Sequence, residues 1–263
     1  MRPSRMRIIS VLIIGLLTGC LFKRGAPESP PPVSIGSTTA ARADSLWQVA
    51  EEAFRHGRWD RTIETLDRTL LLLDFADSRR ARAYFMIGES RLSKHQNLQA
   101  VREFRRVADE VASEELAPDA LLRAGDAYSG LWSRPELDPS YGETALLTYN
   151  EVIERYPGTT AAKLAQLRIL DLRERFAQKE LLNAMFYFKF KAFDSAILSF
   201  RSLIATYPRT SAVPTALVKL VEAYRINGYD ADLRETCEYV ERFFPQVVPS
   251  VAQDCAVGAQ NPS

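Results

Sequence analysis

Three observations predict an all-α chain, a solenoid of about five helix-turn-helix repeats. First, Glu180 to Thr210 reads as two amphipathic helices. Ala184, Tyr187 and Phe188 share one face at i, i+3 and i+4, Ala196, Phe200 and Leu203 share another at i, i+4 and i+7, and the run stops at Tyr207-Pro208. Second, the same spacing recurs along the chain. Third, so short a hairpin cannot bury its apolar face alone and must stack on neighbours, with small residues where the two helices approach most closely. Phe193-Asp194 is expected at the turn between the helices.

The recurring pattern is an anchor in the first helix, a compact residue twelve later, a bulky one four after that, and Pro eight further on: Ala184, Ala196, Phe200 and Pro208. The first copy holds Ala50, Thr62 and Leu66, supported by Trp47, Gly57 and Trp59. Gly88, Ala100 and Phe104 form the second, without the proline. Gly125, Ala145, Tyr149 and Pro157 form the third, with eight extra residues between its halves. Val221, Leu233, Cys237 and Pro245 form the last, and Tyr128 and Tyr224 stand where Tyr187 does. The repeats fall at about 44–77, 80–112, 117–158, 161–209 and 213–245, followed by a tail over 246–263. This grammar resembles the tetratricopeptide repeat, a helix-turn-helix unit of about 34 residues.

The segment before the repeats reads as an address and a spacer. Arg2, Arg5 and Arg7 precede an apolar run from Ile8 to Leu17, which is too short for a stable membrane span and has the layout of a signal peptide over 1–19. Leu17-Thr18-Gly19-Cys20 resembles the lipobox of bacterial lipoproteins, in which the cysteine is acylated, so Cys20 is expected to carry the lipid, palmitate included. Leu21 follows it, and the absence of Asp there favours the outer membrane in the best-known sorting systems. Residues 20–43 include Pro30, Pro31 and Pro32 and few large apolar side chains, a composition that predicts an extended tether of about 3.1 Å per residue.

Composition narrows the function. Among 263 residues, 46% are hydrophobic and the formal net charge is +1, so no basic excess exists to displace counterions from nucleic acid. Arg79-Arg80 and Arg105-Arg106 read as solvated helix faces. The sequence holds no HExxH, GxSxG, P-loop or dinucleotide fingerprint and no cysteines paired at metal spacing. His56 and His95 both fall at predicted turns. Neither an enzyme, a cofactor nor a metal is expected.

The insertion in the third repeat, SGLWSRPELDPSYGET, carries Arg134 and then Asp138-Pro139, where Asp138 can cap the following helix with Pro139 at its first position. Together with the lipobox, the five repeats, the Tyr156-Pro157 stop and a long helical stretch from Ala161 to Lys179, this loop resembles the BamD family, the lipoprotein subunit of the machinery that folds β-barrel proteins into the bacterial outer membrane. The resemblance covers about Ser45 to Phe244 and is most specific from Gly125 to Pro208. It implies a periplasmic-face scaffold that binds unfolded outer-membrane proteins and the barrel-forming subunit of that machinery. The fourth-repeat hairpin would then be the partner surface, with Tyr187, Lys189, Lys191 and Arg201 as candidates, although none matches the family's contact residue securely. The alternative is a lipid-anchored repeat protein that regulates cell-wall enzymes or presents partners to them. An N-terminal coiled coil would suit that reading, and no heptads precede Asp44.

First helices of such repeats line a concave face. The residues around the first two anchors are Asp44, Trp47, Glu51, Phe54 and Arg55, then Arg82, Phe85, Glu89 and Leu92. Aromatics flanked by both charges suit an extended peptide ending in an aromatic residue and a carboxylate, as barrel proteins do in the family resembled. Arg55 or Arg82 would take the carboxylate, while Trp47 and Phe85 either offer apolar pockets or pack on the neighbouring helix. Cys237 and Cys255 are left in an oxidising compartment. They stay as free thiols, Cys237 buried, or they join in a disulfide as the tail folds back over the exposed end of the solenoid.

Overall fold

The computed structural model describes residues 35–110 and 115–259; the signal peptide, Cys20 and the first part of the tether lie outside them. Five helical hairpins follow one another: α1 (Ile35–Arg55) with α2 (Trp59–Leu70), α3 (Arg79–Ser93) with α4 (Asn97–Arg105), α5 (Ala117–Leu131) with α6 (Ser140–Arg155), α7 (Thr160–Lys189) with α8 (Phe193–Thr206), and α9 (Ala212–Asn227) with α10 (Asp230–Phe243). A π-helical turn, Arg106–Glu110, continues α4, and a single helix, α11 (Val248–Ala259), closes the array. Each helix packs on the next, and α5, α7, α9 and α11 also touch one another in series. The array is an all-α solenoid of tetratricopeptide type.

All fifteen anchor, compact and bulky positions of the five repeats are buried, from Ala50, Thr62 and Leu66 to Val221, Leu233 and Cys237. The reason is closest at Gly88 and Gly125. A methyl group added at Gly88 would lie 2.6 Å from the Phe104 ring, and one at Gly125 would lie 2.5 Å from the Tyr149 ring. A ring sixteen or twenty-four residues on occupies the space that a side chain at the anchor would need. Where the bulky position shrinks to Cys237, the anchor grows to Val221.

Turns and stops obey equally local rules. Seven residues after the anchor, repeats one, two, four and five each place a left-handed residue: Gly57 (φ 66°), His95 (φ 58°), Lys191 (φ 60°) and Gly228 (φ 70°). This moves the expected fourth-repeat turn. Phe193 and Asp194 open α8, and the chain reverses over Phe190–Ala192, because the left-handed position is Lys191 and Asp194 suits a helix N-terminus. At the other end, Tyr156, Tyr207 and Phe244, each followed by proline, have φ of −130°, −127° and −135°, outside the helical region that a following proline disfavours, and they end α6, α8 and α10.

Two expected boundaries shift. α1 begins at Ile35 rather than Asp44, so the last nine residues assigned to the tether are helical; Ala40, Ala41 and Ala43 favour helix, and Ala43 is buried. The long connecting stretch and the first helix of the fourth repeat form one 30-residue helix, α7. The core is correspondingly a chain of four apolar clusters, in which Tyr128 packs against both the second and third and Tyr207 against both the third and fourth.

Gly125→Ala tests the ring-over-anchor contact. Alanine gains up to about 1 kcal/mol in helix propensity, while overpacking a filled core costs about 1–3 kcal/mol. A net loss is expected, read as a lower urea midpoint at unchanged m; an equal or higher midpoint would mean that Tyr149 moves aside freely.

Candidate binding surfaces of the solenoid

Between α1 and α3 lies a cavity of about 860 Å³, closed at one side by Glu115 and Leu116 ahead of α5. Five of the nine groove residues expected from sequence line it: Glu51, Phe54, Arg55, Arg82 and Phe85. Phe54 and Phe85 are half-buried and fixed from behind, Phe54 edge-on to Trp59 at 5.8 Å and Phe85 edge-on to Phe104 at 5.5 Å. Trp47 instead packs on the core with Ala50 and Leu66. Leu92 and Glu89 lie further along, where Leu92 packs in the second cluster and Glu89 binds Arg123.

The groove's arginines differ in how firmly they are held. Arg79 spans Asp44 on α1 at 2.6 Å and Asp77 at 2.7 Å. Among the described residues Arg82 meets only Glu51, at 3.4 Å, and Arg55 pairs with Glu52 one turn back; both side chains are mostly exposed. Arg55 and Arg82 can therefore exchange a weak partner for a ligand carboxylate, and Arg79 is committed to the fold. The reading of Arg79-Arg80 and Arg105-Arg106 as solvated faces is corrected here. Arg80 donates to the Leu70 carbonyl and the Tyr84 hydroxyl, Arg105 pairs with Glu151 on α6 at 2.7 Å, and Arg106 pairs with Glu103.

Beyond the groove a charge ladder crosses the first helices. Arg123 on α5 forks onto Glu89 of α3 at 2.5 and 2.8 Å and reaches Asp126 at 3.0 Å. Asp126 accepts in turn from the Tyr149 hydroxyl at 2.8 Å and from Arg168 of α7 at 3.1 Å. Burial and the Asp126 charge push the Tyr149 phenol well above its ordinary range, so it stays a neutral donor. None of Arg123, Asp126 and Arg168 stands out in the sequence, because the contacts that carry the ladder between hairpins, Arg123 to Glu89 and Arg168 to Asp126, span 34 and 42 residues.

The third-repeat insertion is a fixed feature. Trp132 is buried against Phe176, with ring centroids 4.6 Å apart, and Gly142 leaves room for it. Arg175 donates to the Trp132 carbonyl at 2.8 Å, and Lys179 donates to that of Leu137 at 3.0 Å. Asp138 accepts from the Ser140 N–H at 3.0 Å, and the Ser140 hydroxyl, that N–H and nearby Lys179 hold its carboxyl below the usual range. α6 starts at Ser140, so Pro139 stands just before the helix rather than at its first position. Arg134 is exposed on the loop.

At the fourth-repeat hairpin, Tyr187, Lys189 and Lys191 gather exposed at the tip. Arg201 is apart from them, facing Asp232 of α10 at 3.8 Å over a second cavity of about 430 Å³. Sequence reading passed over Leu182, Phe186 and Phe190, an exposed apolar row at i, i+4 and i+8 in which the two phenylalanine rings lie 4.6 Å apart. The signal was present in that spacing, which exceeds what the inward stripe of Leu181 and Ala184 needs. Among the described residues no cluster of metal-binding side chains occurs, and no helix is long and apolar enough to cross a membrane.

Acid pH tests the Arg79 anchor. Hydrogen bonds from Arg79 hold the Asp77 carboxyl below its ordinary value. Its stabilising contribution is therefore complete above the unfolded value, about 3.9, and is lost as pH falls through the lower folded value. Asp77→Asn is expected to flatten the decline of melting temperature below about pH 4; a curve as steep as wild type's would remove Asp77 from that dependence.

Residues 40–239 match the profile of a family described as YfiO, outer membrane lipoprotein. An outer membrane protein assembly factor BamD of Caulobacter vibrioides is 25% identical over 93% of this chain and 77% of its own. BamD of Vibrio cholerae is 31% identical over 41% of this chain and 45% of its own. Among solved structures, the tetratricopeptide-repeat domain of P58(IPK) is 14% identical, covers 84% of this chain and 56% of its own, and gives a TM-score of 0.45.

Proposed function

This chain belongs to the YfiO family of outer membrane lipoproteins, and from that membership we propose that it is a non-catalytic scaffold of outer-membrane protein assembly. It associates with the outer membrane and works within the assembly machinery by binding rather than by chemistry. Its clients are unfolded barrel proteins, recognised by a C-terminal aromatic residue and carboxylate in the groove between α1 and α3. The observation that carries this reading is the pairing of two fixed aromatic faces, Phe54 and Phe85, with two loosely held guanidinium groups, Arg55 and Arg82, along one 860 Å³ cavity. The exposed tip of the fourth hairpin, with Tyr187, Lys189, Lys191 and the Phe186–Phe190 pair, is the surface for the barrel-forming subunit. Cys20 carries the lipid that holds the chain at the periplasmic face.

Binding of a barrel-protein C-terminal peptide is expected to weaken about tenfold in Arg82→Ala and in Phe85→Ala, equivalent to about 1.4 kcal/mol. Phe186→Ala with Lys189→Ala should leave that affinity alone and release the barrel subunit in a pull-down. Unchanged peptide affinity in both groove variants, with circular dichroism intact, would take the client out of this groove.

The anchor is checked separately. Cys20→Ala should lose palmitate labelling and leave the outer-membrane fraction; retention of both would refute lipidation at this residue.

A further inference from the structure

The last repeat departs from the others most consequentially at one position. Its bulky inward position, filled elsewhere by Leu66, Phe104, Tyr149 and Phe200, is Cys237, and Cys237 is joined to Cys255 of α11 by a disulfide closing a separation of 18 residues. α11 packs on both α9 and α10, in the place that the first helix of another repeat would take. Among the described side chains its apolar contribution rests on Val251, with Val248 partly buried beside it. Val251 and, just before the helix, Val247 are buried in the cluster that includes Val221, Leu233 and Val240, and one ion pair, Arg225 to Asp254 at 2.6 Å, adds to them. A 12-residue helix with no acidic residue in its first turn and no basic residue in its last holds poorly on its own. The covalent bond therefore decides whether α11 stays in place.

The two cysteine residues are unequally exposed. Cys237 is 7% exposed, whereas Cys255 is only partly buried at the edge of the cluster. We propose that the Cys237–Cys255 bond is an exchange site for an external dithiol, opened by attack at Cys255, and that opening it releases α11 from the end of the solenoid. The attacking thiolate bonds to the Cys255 sulfur and the S–S bond breaks. Its electron pair leaves on Cys237, which takes up a proton because a buried thiolate is disfavoured. The second thiol of the dithiol then attacks its own mixed disulfide and frees Cys255. Two electrons and two protons pass to the protein, and the dithiol leaves as a disulfide. A disulfide carrier closes the clasp by the reverse sequence. The partner class is thus a thiol–disulfide oxidoreductase, and what it controls is the cover over Val221, Leu233 and Val240.

The test uses the full oxidised chain. Brief exposure to glutathione, quenched with iodoacetamide, should leave glutathione on Cys255 and the alkyl group on Cys237 in peptide maps. Dithiothreitol should lower amide-exchange protection over 248–259 at least tenfold and leave α7 unchanged. In Cys255→Ser, protection over 248–259 should be low with or without dithiothreitol, and if that variant does not fold the two wild-type measurements suffice. Glutathione found on Cys237, protection of α11 that survives reduction, or a bond that dithiothreitol opens only in urea would each overturn the proposal.

Discussion

Everything in this solenoid depends on how closely the two helices of each hairpin approach, and that distance is set by one pair of residues per repeat. Gly88 lies under Phe104 and Gly125 under Tyr149, with no space for a methyl group between them. The pair is reciprocal in size: glycine faces a large ring, alanine stands with Leu66 or Phe200, and valine with cysteine. Close packing at native density makes the sum of the two volumes the conserved quantity, not either residue. Once each hairpin is closed this way, its apolar remainder points at the next hairpin, and shared residues such as Tyr128 and Tyr207 weld successive clusters into one core.

That packing leaves the first helices free to carry charge, and the charges divide into two populations. Asp44–Arg79, Glu89–Arg123 and Asp126–Arg168 each join one hairpin to the next. Partly buried and mutually satisfied, they fix the register of the concave face. Arg55 and Arg82 each face one acidic side chain among the described residues and keep most of their solvation. Two loosely paired cations beside the half-buried rings of Phe54 and Phe85 are the feature on which the proposed client groove rests.

The anchor positions were legible in the sequence because their cause is local: spacing within one hairpin, read at the helical period. Helix stops before proline were legible for the same reason. The turn of the fourth hairpin was not, because its left-handed residue is Lys191, a type that gives no turn signal, whereas Gly57 and Gly228 at the equivalent positions do. The start of α1 was masked by the proline-rich run just before it. At the candidate surfaces, Glu51, Phe54, Arg55, Arg82 and Phe85 were placed in one groove by counting from the anchors, yet Arg79 looked like any solvated arginine. Its role is defined by Asp44, 35 residues earlier on another helix. Long-range partners leave no periodic trace. The Phe186–Phe190 row did leave one, and it was hidden by the inward stripe of the same helix.

The uninterrupted α7 has a mechanical consequence. At 1.5 Å per residue its 30 residues make a strut about 45 Å long, braced near its start by Arg168 and in its middle by Arg175, Lys179 and the Glu174 carboxylate that accepts from Ser211. Such a strut cannot hinge between the third and fourth repeats without breaking several helical hydrogen bonds together. The distance and rotation from the third repeat to the fourth-hairpin tip are therefore set by one continuous helix. A load applied at that tip is delivered to the third repeat as torque instead of being absorbed as slack.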